Sequence, residues 1–429
     1  MKNFFYFIAK IIILSCLIGI FVSGFQFVSD KIINFSKYVV NNNTLFIIFI
    51  FIIFLIGIGL LFYNHKFKSY TGSGIPQFEA YYEGEYEIQP FKMLINITIN
   101  SLLAFFSGFL LGGEGPSITI ASSLGLITNK ITKTKDNSLV AIGGSAGFAC
   151  AFLSPLAGIM HLIEENKKIL NLKFIIVGSI MIIIASTVSF FIFSHSLLPH
   201  LESEFLPFKY YYILLLVGVL GYFVGRLYVF CITKCKDLVG ENRIWNLLLP
   251  LILVCFFVLK KYNLFLVGSG SDILHNNFVN IGIIYCLGLM IYRIIGTAIS
   301  ANQKISGGLV LPMLTVGYLL GYLIIAIFQK IDIEIVQYKN IIIVVAMLTV
   351  FAAVCITPLT AIALSFKIIN FKVIIFPILI SLIIMMILVK IFKSNSIYYE
   401  LKERLVRKKE QEVEKDEESK CILSWWFNS

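Results

Sequence analysis

Three stretches of the chain, Thr44 to Tyr63, Phe174 to Ser194 and Ile305 to Phe328, contain no charged residue. Each is long enough to cross a bilayer as an α-helix, which takes roughly 20 residues. In hydrocarbon no water is present to bond exposed N–H and C=O groups, so the backbone must satisfy itself, and a helix does so within one segment. Composition agrees. Hydrophobic residues make up 58% of the 429 and charged residues 14%, a balance that excludes a soluble domain of this size. The chain reads as an all-α polytopic membrane protein.

The formal net charge of +11 raises the question of nucleic acid, and its placement answers it. From Glu400 onward seven basic residues face eight acidic ones, so the excess lies in the amino-terminal arm and the loops, at Lys66 and Lys68, Lys130, Lys133 and Lys135, and Lys167, Lys168 and Lys173. Lysines flanking spans set orientation, with the basic loops on the cytoplasmic side. Lys2 and the Lys66–Lys68 loop then share the cytoplasmic side, and the expectation is a multi-pass protein of the cell (inner or plasma) membrane with both termini cytoplasmic. No nucleic-acid partner is expected. The eight cysteines are scattered, mostly within apolar runs and without metal-ligand spacing, and read as reduced packing residues. The first apolar stretch lacks a small-residue cleavage site and a second follows closely, so it reads as a retained helix.

Spans are expected at about 5–28 and 44–64, then 91–111, 172–195, 210–232, 246–260 and 279–300, with shorter apolar segments at about 117–128, 138–152 and 155–166. The short segments are bounded by Gly and Pro, and the breakage recurs. At a shift of 196, Gly112, Pro116 and Gly125 fall on Gly308, Pro312 and Gly321; at a shift of 203, Phe148, Ala149, Pro155, Leu156 and Ile159 fall on Phe351, Ala352, Pro358, Leu359 and Ile362. Two related halves with interrupted helices at matching places are the sequence-level pointer to a transporter site at the bilayer midplane. We expect a transmembrane domain over 1–400, with repeats at about 65–200 and 210–400, and a short charged cytoplasmic tail over 401–429. Trp425-Trp426-Phe427 in that tail reads as an interfacial patch or as chance composition.

The second interruption, Gly112-Gly113-Glu114-Gly115-Pro116, sets a carboxylate among glycines at membrane depth. Such an acid is costly and marks a functional site. Pro116 fits the first turn of a helix, whose N–H groups and dipole attract an anion. Gly72-Ser73-Gly74-Ile75-Pro76 and Gly307-Gly308-Leu309-Val310-Leu311-Pro312 offer similar helix starts. Converging helix ends bind an anion without a full cation, and therefore loosely enough for release.

These motifs resemble the CLC family of chloride channels and proton–chloride antiporters, in the prokaryotic type without cytoplasmic regulatory domains. That family has Gly-Ser-Gly-Ile-Pro, Gly-(Arg/Lys)-Glu-Gly-Pro and Gly-x-Phe-x-Pro in this order. Here the first is complete at 72–76, the second has Gly113 in place of the basic residue, and the third has Val310 in place of Phe. The resemblance continues at Pro155 to Ile159, Ile163-Glu164-Glu165, Pro358-Leu359-Thr360 and Ser396-Ile397-Tyr398, covering roughly 45 to 405. It implies an inverted repeat of two halves with broken, tilted helices meeting at the midplane. It also implies that chloride lies on the side chains of Ser73 and Tyr398 and on backbone N–H groups of Gly115, Leu309 and Val310. By the same resemblance Glu114 is the gating glutamate, Glu165 the internal proton-transfer glutamate, and the protein a homodimer with one pore per subunit, joined through helices near 155–165, 174–194, 357–368 and 372–390.

Taken alone, several of these residues have plainer readings. Glu165 lies between Glu164 and Asn166-Lys167-Lys168 and reads as a polar helix end. Tyr398 reads as an interfacial tyrosine. His161-x-x-Glu164-Glu165 has helical metal spacing but lacks the second histidine of a metalloprotease motif, and no metal or cofactor is expected. Gly268-Ser269-Gly270-Ser271 reads as a loop without a phosphate-loop lysine. No Ser/His/Asp set or nucleophile elbow is present, so the chain does not read as an enzyme. Exchange of chloride for protons is the leading function. A passive chloride channel of the same fold, gated by voltage or pH, is the alternative.

Overall fold

A computed structural model of the chain describes residues 2–67, 70–134, 137–166, 170–194, 196–239, 248–276 and 282–410. Lys68, Lys135, Lys167 and Lys168, used above for orientation, and Trp425 to Phe427 lie outside them. Among the described residues nine helices are long and apolar enough to cross a membrane.

The helices in order are α1 (Lys2–Asn41), α2 (Asn43–Phe67), α3 (Ile75–Tyr82), α4 (Pro90–Ser107), α5 (Glu114–Ile131), α6 (Asn137–Phe152), α7 (Pro155–Glu165) and α8 (Leu172–Ile192). They continue as α9 (Tyr211–Val239), α10 (Leu249–Tyr262), α11 (Ser271–Leu274), α12 (Ile283–Ala301), α13 (Val310–Phe328), α14 (Lys339–Cys355), α15 (Pro358–Ile368) and α16 (Phe371–Ile391). A last helix, α17, covers 397–410. It runs through the boundary expected at 400, carrying Tyr398 on one side of it and the buried Lys402 on the other.

The first span is longer than the 5–28 expected. No glycine or proline interrupts the chain between Phe25 and Asn41, and Ser29 and Ser36 return their hydroxyls to the carbonyls of Phe25 and Ile33. The helix therefore continues for 40 residues, about 60 Å at 1.5 Å per residue. A helix twice the ~30 Å hydrocarbon thickness lies tilted or projects beyond it.

Burial sorts the helices into a core and a jacket. Only 17% of the most apolar window of α2 is buried inside the protein, against 89% for α13 and for the window holding α14. The core is built twice. α7 and α15 each have 11 residues, and α8 and α16 each have 21. Where α5 meets α6, a Cβ on Gly125 would lie 2.7 Å from the Leu139 carbonyl oxygen; where α13 meets α14, one on Gly321 would lie 2.5 Å from Ile343 Cα. These equivalent glycines let each helix pair approach to backbone contact. Leu153 (φ 49°) and Ile356 (φ 60°), equivalent at a shift of 203, both hold a left-handed conformation costly to bulky side chains and turn the chain into Ser154-Pro155 and Thr357-Pro358.

The repeat reaches further than the sequence reading took it. Gly268-Ser269-Gly270 is not a featureless loop: at the shift of 196 it is the counterpart of Gly72-Ser73-Gly74. Gly72 and Gly74 have φ of 83° and 83°, and Gly268 and Gly270 have 68° and 99°. Thr119 Oγ1 donates to the Ser73 carbonyl at 2.7 Å, and its equivalent Thr315 donates to the Ser269 carbonyl at 3.4 Å. The two serines nevertheless open to different cavities. Ser73 lines a cavity of about 70 Å³ with Leu401 and Leu405, whereas Ser269 lines one of about 440 Å³ with Lys37 and Asp272. Leu111 borders both. Equivalent residues facing opposite ways across a shared centre are what an inverted repeat produces.

Candidate functional site

The three Gly/Pro motifs, far apart in the chain, meet at that centre. Gly72 N–H donates to Ile305 C=O at 2.9 Å and Gly307 N–H to Gly72 C=O at 3.2 Å. Gly112 and Gly308 exchange both bonds, at 2.8 and 2.6 Å. A Cβ on Gly115 would lie 2.8 Å from Gly308 Cα and 3.0 Å from Ser73 Cβ. Only glycine allows three chain segments to come this close. These backbone groups satisfy one another, as polar groups at membrane depth must.

Two long helices start here in the same register. Gly113 caps α5 and Leu309 caps α13, and Pro116 and Pro312 each stand third in their helix, where no N–H is missed. Glu114, fully buried, is the first residue of α5. Its Oε2 accepts the Leu311 N–H at 3.4 Å, a free donor of the first turn of α13, and its Oε1 has no hydrogen-bond partner among the described residues. The carboxylate thus lies across the amino end of the opposite helix, where orphan N–H groups and the helix dipole favour negative charge. On one side it borders the larger cavity with Gly113 and Leu311; Ser73 and Leu309 border the smaller one.

Of the other expected ligands, Gly115 and Val310 are buried beside Glu114 at the two helix starts. Tyr398 is 5% exposed and lies within electrostatic reach of Glu114 and Glu165, and its hydroxyl has no hydrogen-bond partner among the described residues. A buried hydroxyl without a partner invites a ligand. Ser73 is also buried, its position fixed by the Thr119 bond and by Gln77 Nε2 donating to Thr71 C=O at 3.0 Å.

The adjacent glutamates at the end of α7 divide. Glu164 turns onto the amino end of α15, accepting Leu359 N–H at 2.7 Å, Thr360 N–H at 2.8 Å and Thr360 Oγ1–H at 2.7 Å. Glu165 is exposed at the last residue of α7, with its charge within reach of Glu79 on α3. His161 stacks on Phe148 at 4.6 Å, with Nδ1 on Ser145 Oγ at 3.1 Å. Among the described residues no group of His, Cys, Asp and Glu is placed to hold a metal ion.

Several site residues escaped the sequence reading. Tyr228 donates its hydroxyl to Leu309 C=O at 3.3 Å, bracing the cap of α13, and nothing in its local sequence marks it. Lys402, on α17, is buried and paired with Glu83, and was hidden within a charged tail. Ser269 could have been found by carrying the shift of 196 back from Gly112 to the Gly72-Ser73-Gly74 motif.

The comparisons agree with this arrangement. The family model "Voltage gated chloride channel" matches residues 58–389. The H(+)/Cl(-) exchange transporter ClcA of Vibrio cholerae serotype O1 is 27% identical over 368 residues, covering 81% of this chain and 77% of the relative. The transporter of the same name from Vibrio parahaemolyticus is 26% identical over 367 residues, covering 81% and 77%. Among solved structures, a slow cyanobacterial Cl−/H+ antiporter superposes with a TM-score of 0.84 at 21% identity, covering 93% of this chain and 98% of its own. A CLC-type fluoride/proton antiporter superposes at 0.72 and 20% identity, covering 91% and 97%. With more than half of its length matched and with the family's three helix-start motifs assembled around one buried glutamate, the chain belongs to the voltage-gated chloride channel (CLC) family.

Proposed function

We propose that the protein exchanges chloride for protons across the membrane, with Glu114 as the gate. The observation that carries this reading is the buried Glu114 carboxylate lying on the amino end of α13 at the wall of the larger cavity, with Ser73 and Leu309 of the neighbouring motifs lining the smaller one. Only one negative charge can use those donors at a time. While ionised, Glu114 holds the place of the anion; once protonated it no longer competes, and chloride takes the N–H groups of Gly115, Leu309 and Val310 with the hydroxyls of Ser73 and Tyr398. Proton and anion occupancy are thereby tied to one side chain.

A dehydrated anion path cannot also carry the proton throughout, so a second carboxyl group is required on the Ser73 side. Glu165 takes that role, reached from solvent at the end of α7. The exposure of Glu165 also favours the second reading, a passive chloride channel, since an exposed acid on a helix end needs no partner in transport. By resemblance the protein works as a homodimer with one pore per subunit. The exposed apolar residues Leu156 on α7, Ile176 and Ile180 on α8, Leu359 on α15 and Ile383 on α16 supply a face for it. Residues 1–400 form the transport domain of a multi-pass cell-membrane protein with cytoplasmic termini, and 401–429 its tail.

The test is purified protein in liposomes, with chloride efflux and proton movement recorded together. Uphill proton movement driven by a chloride gradient supports exchange. Chloride efflux without it establishes the channel, and no chloride movement at all overturns both.

A further inference from the structure

The two hydroxyls assigned to the anion stand at the starts of two helices whose outer parts are tied together. Ser73 precedes α3, and Tyr398 is the second residue of α17. α3 ends after eight residues at its C-cap, Glu83. Lys402, one turn beyond Tyr398 and on the same face of α17, donates to Glu83 Oε2 at 2.5 Å. The Lys402 side chain is 4% exposed and that of Glu83 27%, so breaking this pair disturbs more than breaking a surface pair would. Lys402 also lies 3.5 Å from Glu403 and within electrostatic reach of Glu79 on α3. Farther along α17, Lys409 donates to Glu85 C=O at 2.9 Å. The helix is held to α9 as well: Arg226 donates to Asn395 C=O at 2.7 Å and to Glu400 Oε1 at 3.0 Å, and Arg404 to Thr233 C=O at 2.7 Å.

The cavity of about 70 Å³ has Ser73, Pro76 and Gln77 of the α3 segment on its wall together with Leu401 and Leu405 of α17. Neither Lys402 nor Glu83 lines it, so the pair acts on the cavity through the helices that do. We propose that the Glu83–Lys402 pair is a latch that holds α17 against α3 and thereby sets the gap between the Ser73 and Tyr398 hydroxyls. Both are then positioning residues for anion selectivity, since a ligand shell discriminates only as sharply as its donors are held. With the latch broken, α17 keeps its ties to α9 while its α3 side loosens. The gap then widens, and a small spherical halide loses its advantage over the larger, planar nitrate.

This inference rests on the proposal that chloride binds at Ser73 and Tyr398, and two readouts separate the two. The first needs no transport: Leu401→Cys places a thiol on the cavity wall, where Leu401 is 8% exposed, and its labelling by a water-soluble thiol reagent is timed above the background of the native cysteines. The second is the chloride-to-nitrate flux ratio in liposomes. Lys402→Met and Glu83→Gln should each speed labelling about fivefold, as a local opening would. Each should lower the flux ratio about threefold, less than the loss of a whole hydrogen bond to an anion. The double variant should go no further than either single one, because the two residues form one interaction. Lys402→Arg keeps a charge-assisted bond to the carboxylate and should stay within about twofold on both readouts. In a Tyr398→Phe background, where the hydroxyl is already gone, Lys402→Met should no longer move the ratio. Unchanged labelling in both single variants overturns the latch. Faster labelling with an unchanged ratio overturns the selectivity role, since the pair is then only an anchor for α17. A double variant additive over the singles also overturns the proposal, because Lys402 then acts through Glu79 or Glu403. If Lys402→Met does not fold, Glu83→Gln decides by both readouts. If wild-type liposomes pass no chloride, the functional reading fails and the selectivity role with it, while faster labelling still upholds the latch and unchanged labelling overturns it.

Discussion

The two Gly-Ser-Gly segments have the same backbone and opposite chemistry. Gly72-Ser73-Gly74 and Gly268-Ser269-Gly270 hold matching left-handed glycines, and a threonine of the following core helix donates to each serine carbonyl. The first then runs into Ile75-Pro76 and the eight-residue α3, packed around a cavity of about 70 Å³. The second enters a four-residue turn of helix, α11, and faces about 440 Å³ whose mixed lining includes the charged Asp30, Lys37, Lys260 and Asp272. Behind it stands the fully buried Arg293, whose guanidinium donates to the carbonyls of Phe265, Val267 and Gly268; at the shift of 196 the first half has Ile97. One half thus presents a narrow, dehydrating end and the other a wide, charged mouth. A repeat fixes where helices start, and the side chains added to each copy decide what the ion meets there.

The largest break in that comparison is removal of the charge proposed to gate passage between the two ends. Glu114→Gln keeps the shape of the carboxyl group and removes its charge, so chloride should pass between the cavities without competition. Proton coupling should disappear, while chloride flux stays within about tenfold of wild type. Glu165→Gln should also abolish proton movement but leave chloride passage, because its proposed role concerns the proton alone. Simultaneous chloride and pH recordings on both variants check this. A Glu165→Gln protein that pumps protons fully would show that the route on the Ser73 side is wrong, even with exchange intact.

Next in size is the contact where the halves touch. Gly308→Ala would place a Cβ 2.6 Å from Gly115 N and 3.1 Å from Gly112 O, both backbone atoms. They cannot yield without disturbing the exchanged Gly112–Gly308 bonds, so we expect a loss of about 1–3 kcal/mol. Gly113→Ala, on the cavity side of the same motif, has ordinary contacts and should change stability by less than about 0.5 kcal/mol. Unfolding midpoints in detergent would separate them, and equal midpoints would mean the central contact is looser than the geometry requires.

Much of this was legible in the sequence, for a physical reason. Membrane depth forbids unpaired backbone, so every break in a helix there must be marked by Gly or Pro, and Gly112, Pro116, Gly308 and Pro312 mark theirs. Glu114 was conspicuous because an acid has no cheap place in hydrocarbon. What escaped was carried by shape and by distant pairing. Lys260 lies in the last turn of α10, and nothing in its neighbourhood in the sequence shows that the fold buries it against Ser36 of α1. Likewise Glu164 and Glu165 are indistinguishable as neighbours, and only the placement of α15 shows that Glu164 is its cap.

Selectivity should follow the serines unequally. By the family resemblance, proline in place of the motif serine accompanies nitrate exchange, and proline has no hydroxyl to offer. Ser73→Pro should therefore raise nitrate-coupled proton transport relative to chloride about tenfold, the lower end of the worth of one hydrogen bond to a charged group. Ser269→Ala, facing the wide cavity where water can replace the hydroxyl, should shift that ratio less than about twofold. Paired assays in chloride and nitrate gradients test both. Equal shifts would mean that the two ends dehydrate the ion alike.

The smallest effect probes the frame itself. Thr119 gives its hydroxyl to Ser73 C=O at 2.7 Å, whereas Thr315 reaches Ser269 C=O only at 3.4 Å and bonds instead to Leu311 C=O in its own helix at 2.9 Å. Among the described residues, Thr119→Val removes the one long-range tie on the Ser73 carbonyl and leaves that oxygen beside the small cavity. Thr315→Val removes a local bond to a carbonyl that the helix itself also engages, together with a weak contact. Side-chain bonds between membrane helices average about 0.6 kcal/mol, so Thr119→Val should cost about that much and Thr315→Val about half. The same substitution should loosen Ser73 enough to lower the chloride-to-nitrate ratio by about twofold, while Thr315→Val leaves the ratio unchanged. Stability and selectivity measured on the same two preparations make the comparison independent of protein yield. If Thr315→Val costs as much as Thr119→Val and moves the ratio equally, the two Gly-Ser-Gly segments are held alike, and the contrast between a narrow end and a wide mouth must come from the cavity walls alone.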